Sequence, residues 1–517
     1  MKKNYFIFSN TIRTMLVLMF IFYQSNLFSQ NQFSLSGRTI KNISTTSSNT
    51  IERGSSIKLI GMGVITNRAT HERTPYYSLS VNSMTYAIEI KNIDKIEFDR
   101  PNTSSDAWAI LAIKSGTYEN LLNNGYQYDL RNQMDEENVD FIDLINKQDG
   151  FFYDPYLQDY LQRILIKIHP ITLLDERPGN LNIQILKSDS PNSFCSTNGT
   201  IFITTSLLSV INSEDELYGV IAHEIAHFVF DHQIINLNKQ INRAERAAFW
   251  SAFATVLAGA TEAYLATEHE IYTGGALTLA TAMASVEISS AITERLGVKY
   301  SQDQELEADR AVIEVMKCLK RDTLAFSSAL TKLRNYNLSV GNYYALSGSG
   351  THPNLDYRIS LLGYANPEKY SSPKYQKLIS IVTTYNAILE YNNFHLLACN
   401  QLVDKNIEAG VATEDDYILK GIVLRILYDS DETNLSALQY IQKAKKLNVT
   451  PTIEVHKQEG ITLLRLNKNI EAIEAFKTYK SLLDQEYSKQ EKNFKNTDYL
   501  KQEIDWTNTM IYKVSSI

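Results

Sequence analysis

Gly219-Val220-Ile221-Ala222-His223-Glu224-Ile225-Ala226-His227-Phe228-Val229 is the stretch on which the fold turns. His223 and His227 stand four apart, and on an α-helix that spacing puts them on one face, where both imidazoles can reach a single cation. Glu224 projects beside them. Every other residue of the stretch is apolar or small, so the helix is expected to be buried, and an unpartnered His or Glu in it would be costly. A cation held between the two imidazoles removes that cost; a satisfied structural cluster is the blander alternative. Just upstream, Ser213 with Glu216 three residues on spells a capping box that opens the helix.

Two imidazoles do not complete a catalytic zinc site, which uses three protein ligands and keeps one position for water. A third histidine in the metzincin manner requires Gly at 230 and His at 233, but the chain has Phe230 and Gln233, with His232 one residue out of register. The third ligand is therefore expected to be a carboxylate from a later helix, and the best candidate segment is Gln304-Glu305-Leu306-Glu307-Ala308-Asp309-Arg310. There Glu305 and Asp309 share a helical face while Glu307 points elsewhere. Acidic pairs four apart are common on solvated helices, so the segment draws its weight from the first motif.

Taken together, His-Glu-x-x-His followed by Glu-x-x-x-Asp resembles metallopeptidase family forty-eight, the gluzincins that include the CAAX prenyl endopeptidases. Three further stretches agree. Asn192-Ser193-Phe194-Cys195 before Asn198-Gly199-Thr200 is similar to the family's edge strand, Glu214 to Leu217 to the acidic approach to its active-site helix, and Thr351-His352-Pro353 with Arg358 to its later His-Pro motif. The resemblance covers Pro155 to Leu362. It implies one Zn2+ per chain held by His223, His227 and Glu305, Glu224 as catalytic base, and Asp309 as the acceptor that orients a metal-bound histidine. His352 is then a donor to the oxyanion of the reaction or, in a latent state, sits on the metal's open position, with Ser347-Gly348-Ser349-Gly350 giving its loop mobility. Arg358 is expected to be a structural ion-pair partner. The implied activity is that of a zinc endopeptidase, with the Phe194 to Thr205 region pairing with an extended substrate, which favours unfolded or flexible polypeptide. A binding or chaperone module with a silent or capped metal site is the rival, and a metalloaminopeptidase would use the same ligands.

Around this centre the fold class is expected to be α+β and mainly helical. Residues 1–30 place Lys2, Lys3 and Arg13 before an apolar run from Met15 to Tyr23 and a polar stretch, the order of a secretory signal peptide; an uncleaved membrane anchor is the alternative. Residues 31–54, rich in Ser, Thr and Asn, read as a flexible leader, and 55–148 as a small β-containing domain, with alternation such as Tyr86-Ala87-Ile88-Glu89-Ile90. The zinc peptidase domain spans 149–370. It opens with a helix between Pro155 and His169 and strands at Leu181 to Leu186 and Thr200 to Thr205, and it carries an Ala-rich helical hairpin at 247–292. Glutamates and a histidine within that hairpin argue for a packed soluble insert over membrane spans. From 375 to 517 the chain is helical, and Gly421, Ala437, Ile441 and Ala444 are echoed by Gly460, Ala472, Phe476 and Tyr479. This faint repeat resembles stacked tetratricopeptide repeats, and an exported protease domain joined to such repeats is a BepA-type layout.

Bulk properties narrow the classes further. The 517 residues are 44% hydrophobic and 21% charged, which is a soluble globular composition for roughly two to four domains. The net charge of -8 is spread without a basic block, which excludes a nucleic-acid binder. Cys195, Cys318 and Cys399 lie far apart, so neither a disulfide scaffold nor a thiolate zinc site is expected. The expectation is thus an exported protein of the periplasm of a Gram-negative-type bacterium. Its partners are a polypeptide substrate, an envelope complex met through the repeats and, peripherally, the membrane.

Overall fold

Alternating burial builds the first sheet. β4 (Ser56–Thr66), β5 (Arg73–Val81) and β6 (Met84–Glu89) form an antiparallel meander, extended on the other side by β1 (Leu35–Thr39) and β7 (Ile96–Phe98), in the order β6-β5-β4-β1-β7. The expectation of a flexible leader at 31–54 is therefore corrected. β1 is an inner strand, and β2 (Ile43–Ser44) pairs with β3 (Thr50–Ile51). Leu35, Gly37 and Thr39 alternate inward, so β1 buries only one large apolar residue. A Cβ on Gly37 would stand 2.5 Å from the Glu97 carbonyl, and this close approach to a distant strand leaves no mark on local composition.

The computed structural model of the chain describes residues 34–66, 73–117, 128–147, 149–170, 181–240, 300–341, 352, 354–428, 430–449, 452–492 and 497–516. The expected signal peptide at 1–30, the Ala-rich hairpin at 247–292 and the loop Ser347 to Gly350 lie outside these residues. Among the described residues no helix is long and apolar enough to cross a membrane.

The β-containing region does not stand apart as a domain ending at 148. In α1 (Ser104–Lys114), Trp108 is fully buried and its indole N–H donates to the Ile168 carbonyl at 2.7 Å, at the end of α3 (Pro155–Ile168). α2 (Tyr128–Lys147) sets Phe141 edge-on to Phe202, with ring centroids 5.6 Å apart, and pairs Arg131 with Asp231 at 2.5 Å. Leu59, Tyr77, Leu79 and Ile88 of the sheet share one core with Trp108 of α1 and with Leu161 and Leu165 of α3. Each such side chain contributes about 1.5–3 kcal/mol by burial, so sheet and helices stabilise one another.

A second, three-stranded sheet lies at the centre of the peptidase region. β10 (Thr200–Thr204) runs parallel to β8 (Asn182–Leu186) and antiparallel to β9 (Ser193–Cys195), which is an edge. Helix α3 and strands β8 and β10 fall where the sequence places them. α4 (Thr205–Val210), α5 (Glu214–Val229), α6 (His232–Gln240), α7 (Gln302–Cys318), α8 (Leu324–Ser339) and α9 (Leu355–Leu362) complete this region.

Among the described residues seven α-helices follow: α10 (Pro373–Asn392), α11 (Leu396–Glu408), α12 (Glu414–Leu427), α13 (Asp431–Leu447), α14 (Ile453–Arg465), α15 (Asn469–Lys492) and α16 (Asp498–Ser515). The boundary expected near 375 runs through shared packing, because Tyr375, Ile379 and Val382 of α10 belong to the main core. The two glycines of the faint repeat serve one purpose. A Cβ on Gly421 would stand 2.8 Å from Ile441, and one on Gly460 2.6 Å from the Phe476 ring, so each lets a helix lie tight against its successor. Gly460→Ala therefore sets a helix-propensity gain of up to about 1 kcal/mol against overpacking of about 1–3 kcal/mol. Phe476 is fully buried and cannot yield, so the thermal unfolding midpoint is expected to fall; a rise contradicts this packing.

Candidate metal centre

Helix α5 is fixed at both ends. Ser213 Oγ accepts from the Glu216 amide at 3.3 Å, while Glu216 itself reaches back to the Asn212 amide at 2.7 Å, so the expected capping box is half-realised. Glu214 and Asp215 in the first turn complement the helix dipole and pair with Arg321 at 2.8 and 2.7 Å. From Glu216 to Val229 every residue of α5 is buried. Gly219 makes this depth possible, since a Cβ there would stand 2.8 Å from Phe326 of α8. Opposite lies α7, opened by a Ser301–Gln304 capping box, which buries Glu305 and Asp309 on the same face as Ala308 and Val312.

These two helices bring the expected ligands together. His223, His227, Glu305 and His352 each offer one donor atom, and all four atoms lie within 4.8 Å of one another. The Nε2 atoms of His223 and His227 are 3.0 Å apart, and each is 3.4 Å from an oxygen of Glu305. Donors about 2.0–2.2 Å from a tetrahedral cation stand roughly 3.3–3.6 Å from one another, so the two separations to Glu305 match a single ion and the two imidazole nitrogens need to part by only a few tenths of an ångström. His352 Nδ1 lies 3.0 Å from Glu305 Oε1 and 3.4 Å from His223 Nε2, which makes it a fourth corner of the same cage. Its Nε2 meets the Ser193 carbonyl at 3.2 Å on the edge strand β9.

Glu224 does not join the cage. Ser193 Oγ donates to its Oε1 at 2.6 Å, and its buried Oε2 has no hydrogen-bond partner among the described residues. His352 Nε2 is 3.8 Å from Oε1. Asp309 Oδ1 lies 3.1 Å from His223 Nδ1.

Arg358 of α9, expected to be a structural ion-pair partner, pairs with the carboxylates of the site itself. It is 1% exposed, forms a two-pronged pair with Asp309 at 2.8 and 2.7 Å, and reaches Glu305 Oε2 at 2.5 Å. The sequence offered its motif but not this target. Three other groups escaped the sequence reading. Ser193 was visible only as part of a strand. Tyr300 stacks on His227 with centroids 3.5 Å apart. His232, out of register on a continuous helix, is brought back by a left-handed turn: α5 ends at Val229 with Phe230 as its cap, Asp231 takes φ 59°, and His232 opens α6 with Nδ1 2.9 Å from His227 Nδ1. At the position where a metzincin needs histidine, Gln233 donates instead to the Cys195 carbonyl and ties α6 to β9.

The electrostatics suit a cation. Burial works against a charged Glu305, yet Arg358 and His352 outweigh it and hold the carboxyl well below the usual range. Asp309 is likewise lowered, burial being overcome chiefly by Arg358. Burial also opposes a charged His223, but Asp309 and Glu305 push it up to about 9, so an entering cation displaces a proton there. Burial holds His227 well below its ordinary range. Three buried carboxylates, Glu224, Glu305 and Asp309, face one guanidinium, and the formal excess of two negative charges is what a divalent ion neutralises.

Residues 155–365 match the model of Peptidase family M48. Over 233 residues the chain is 24% identical to "Mitochondrial metalloendopeptidase OMA1" of Schizosaccharomyces pombe (strain 972 / ATCC 24843), an alignment that covers 42% of this chain and 59% of that relative. The match thus spans little more than half of the relative's length. The cage, Glu224, Asp309 and Arg358 all fall inside residues 155–365, the stretch of the chain that is similar to peptidase family M48.

Proposed function

We propose that the chain is a zinc-dependent endopeptidase that cleaves unfolded or flexible polypeptides in the cell envelope. The observation that carries this reading is the donor cage of His223, His227 and Glu305 beside a carboxylate, Glu224, whose Oε2 is buried and unpartnered among the described residues. Zinc, when bound, supplies a Lewis acid that polarises a carbonyl and acidifies water. Glu224 Oε2 takes the proton of the attacking water and passes it to the departing amine nitrogen, while Ser193 Oγ holds Oε1 in place. Asp309 and Arg358 keep His223 and Glu305 in orientation. Strand β9 pairs with β10 on one side only among the described strands, and release of the His352 and Gln233 side chains from its Ser193 and Cys195 carbonyls would let it accept an extended polypeptide by strand addition.

Two features support a location and partners for this activity. The charged, apolar, polar order of residues 1–30 supports export, to the periplasm of a Gram-negative-type bacterium. The glycine-seated helix pairs at Gly421 and Gly460 support tetratricopeptide-like repeats that select substrates or dock the protein to an envelope complex.

One observation favours a second reading, a binding or chaperone module with a capped site. His352 occupies the fourth corner and also engages the Ser193 carbonyl, so it stands where water and substrate backbone would go. The two readings part on an end-blocked, unfolded polypeptide. His352→Ala is expected to raise internal cleavage by about tenfold, the factor that a bias of roughly 1.4 kcal/mol imposes. A fall of about 10²–10³-fold instead makes His352 a donor to the oxyanion. No cleavage by either form with zinc supplied sinks the endopeptidase reading and leaves the capped module.

A further inference from the structure

We propose that His232 is a positioning residue for the cation centre: a directed chain of hydrogen bonds, His227 to His232 to Glu307, fixes the tautomer and ring orientation of His227. The inference rests on reading His223, His227 and Glu305 as the cation's ligands. A histidine that binds a metal through Nε2 carries its hydrogen on Nδ1 and needs an acceptor there. His227 Nδ1 faces His232 Nδ1 at 2.9 Å, and two such nitrogens bond only when one of them carries the hydrogen. His227 must be that donor once its Nε2 is engaged, so His232 accepts at Nδ1. Its own hydrogen then sits on Nε2, 3.2 Å from Glu307 Oε2, and is donated to that carboxylate. Every direction along the chain follows from the first.

The geometry around His232 holds it to this task. Its side chain is 2% exposed while that of Glu307 is 38% exposed, so the chain leads from the buried ligand towards solvent. Gln304 of α7 donates to the His232 carbonyl at 3.4 Å, and Arg131 pairs with the neighbouring Asp231, which secures the turn that delivers the ring. The two ligand histidines are thus backed differently, His223 by the carboxylate of Asp309 and His227 by a neutral imidazole.

The test uses the full chain, with zinc affinity measured by chelator competition and the visible absorption of the cobalt(II)-loaded protein as a second readout. His232→Leu is expected to weaken zinc binding by about 10–100-fold and to shift the cobalt bands. His232→Asn, whose amide oxygen falls where imidazole Nδ1 stood, is expected to recover most of both, and Glu307→Ala to lose less than His232→Leu. A folded His232→Leu with wild-type affinity and spectrum overturns the proposal, as does His232→Asn behaving like His232→Leu. If His232→Leu does not fold, Glu307→Ala decides: unchanged affinity and spectrum overturn the proposal, and loss of both supports it. Failure of the wild-type chain to bind zinc or cobalt refutes the ligand assignment itself, an outcome distinct from all of these.

Discussion

Glu224→Gln is expected to leave zinc binding intact and to slow internal cleavage of an unfolded polypeptide by about 10²–10⁴-fold, the usual worth of a positioned general base. Gln keeps the size and the acceptor that Ser193 Oγ engages, so the local packing survives. What disappears is the capacity of Oε2 to take a proton, in the only buried carboxylate of the site that stands outside both the cage and the Arg358 pair among the described residues. Because Glu224 is not a donor in the cage, metal content is the control. Loss of zinc together with activity would move Glu224 from proton transfer to structure.

Arg358→Leu is expected to destabilise the metal-free chain by about 3–5 kcal/mol, since it strips two buried carboxylates of the guanidinium that pairs with them. Denaturant unfolding followed by intrinsic fluorescence measures it. Added zinc should restore part of the loss, because a ligand that binds the folded form alone stabilises it. The pH dependence has a definite sign. Arg358 helps to hold the carboxyls of Glu305 and Asp309 below their unfolded values, so their contribution is full above the unfolded carboxylate range and is lost as pH falls through the depressed folded values. The gap between wild type and variant is therefore widest near neutral pH and narrows in acid. An equal gap at pH 7 and pH 3 contradicts the ion-pair account.

The helix of the first motif, its cap at Ser213 and the later carboxylate helix were legible because each is a local pattern of spacing or capping, whereas the edge strand was expected only from the family resemblance. Glu305 and Asp309 could be paired with the histidines because a shared face is a property of one helix. Contacts across the chain were less legible. The single buried leucine of β1 hid an inner strand, because what identifies it is Gly37 against Glu97. His232 was set aside on the premise of an unbroken helix, and the left-handed turn at Asp231 removes that premise. Glu307, judged to point away from the ligands, does so, and for that reason meets His232. Arg358 was expected to be a structural ion-pair partner, but the identity of its partners, Glu305 and Asp309, follows from α9 packing over the site.

The central claim is that His223, His227 and Glu305 hold one zinc ion in each chain. Metal analysis of the purified full chain, wild type beside His223→Ala, tests it most directly. The account predicts about one zinc per wild-type chain after exhaustive dialysis and next to none in His223→Ala, with the variant still folded. A wild-type chain without stoichiometric metal, or a His223→Ala chain that retains the same amount, would contradict it.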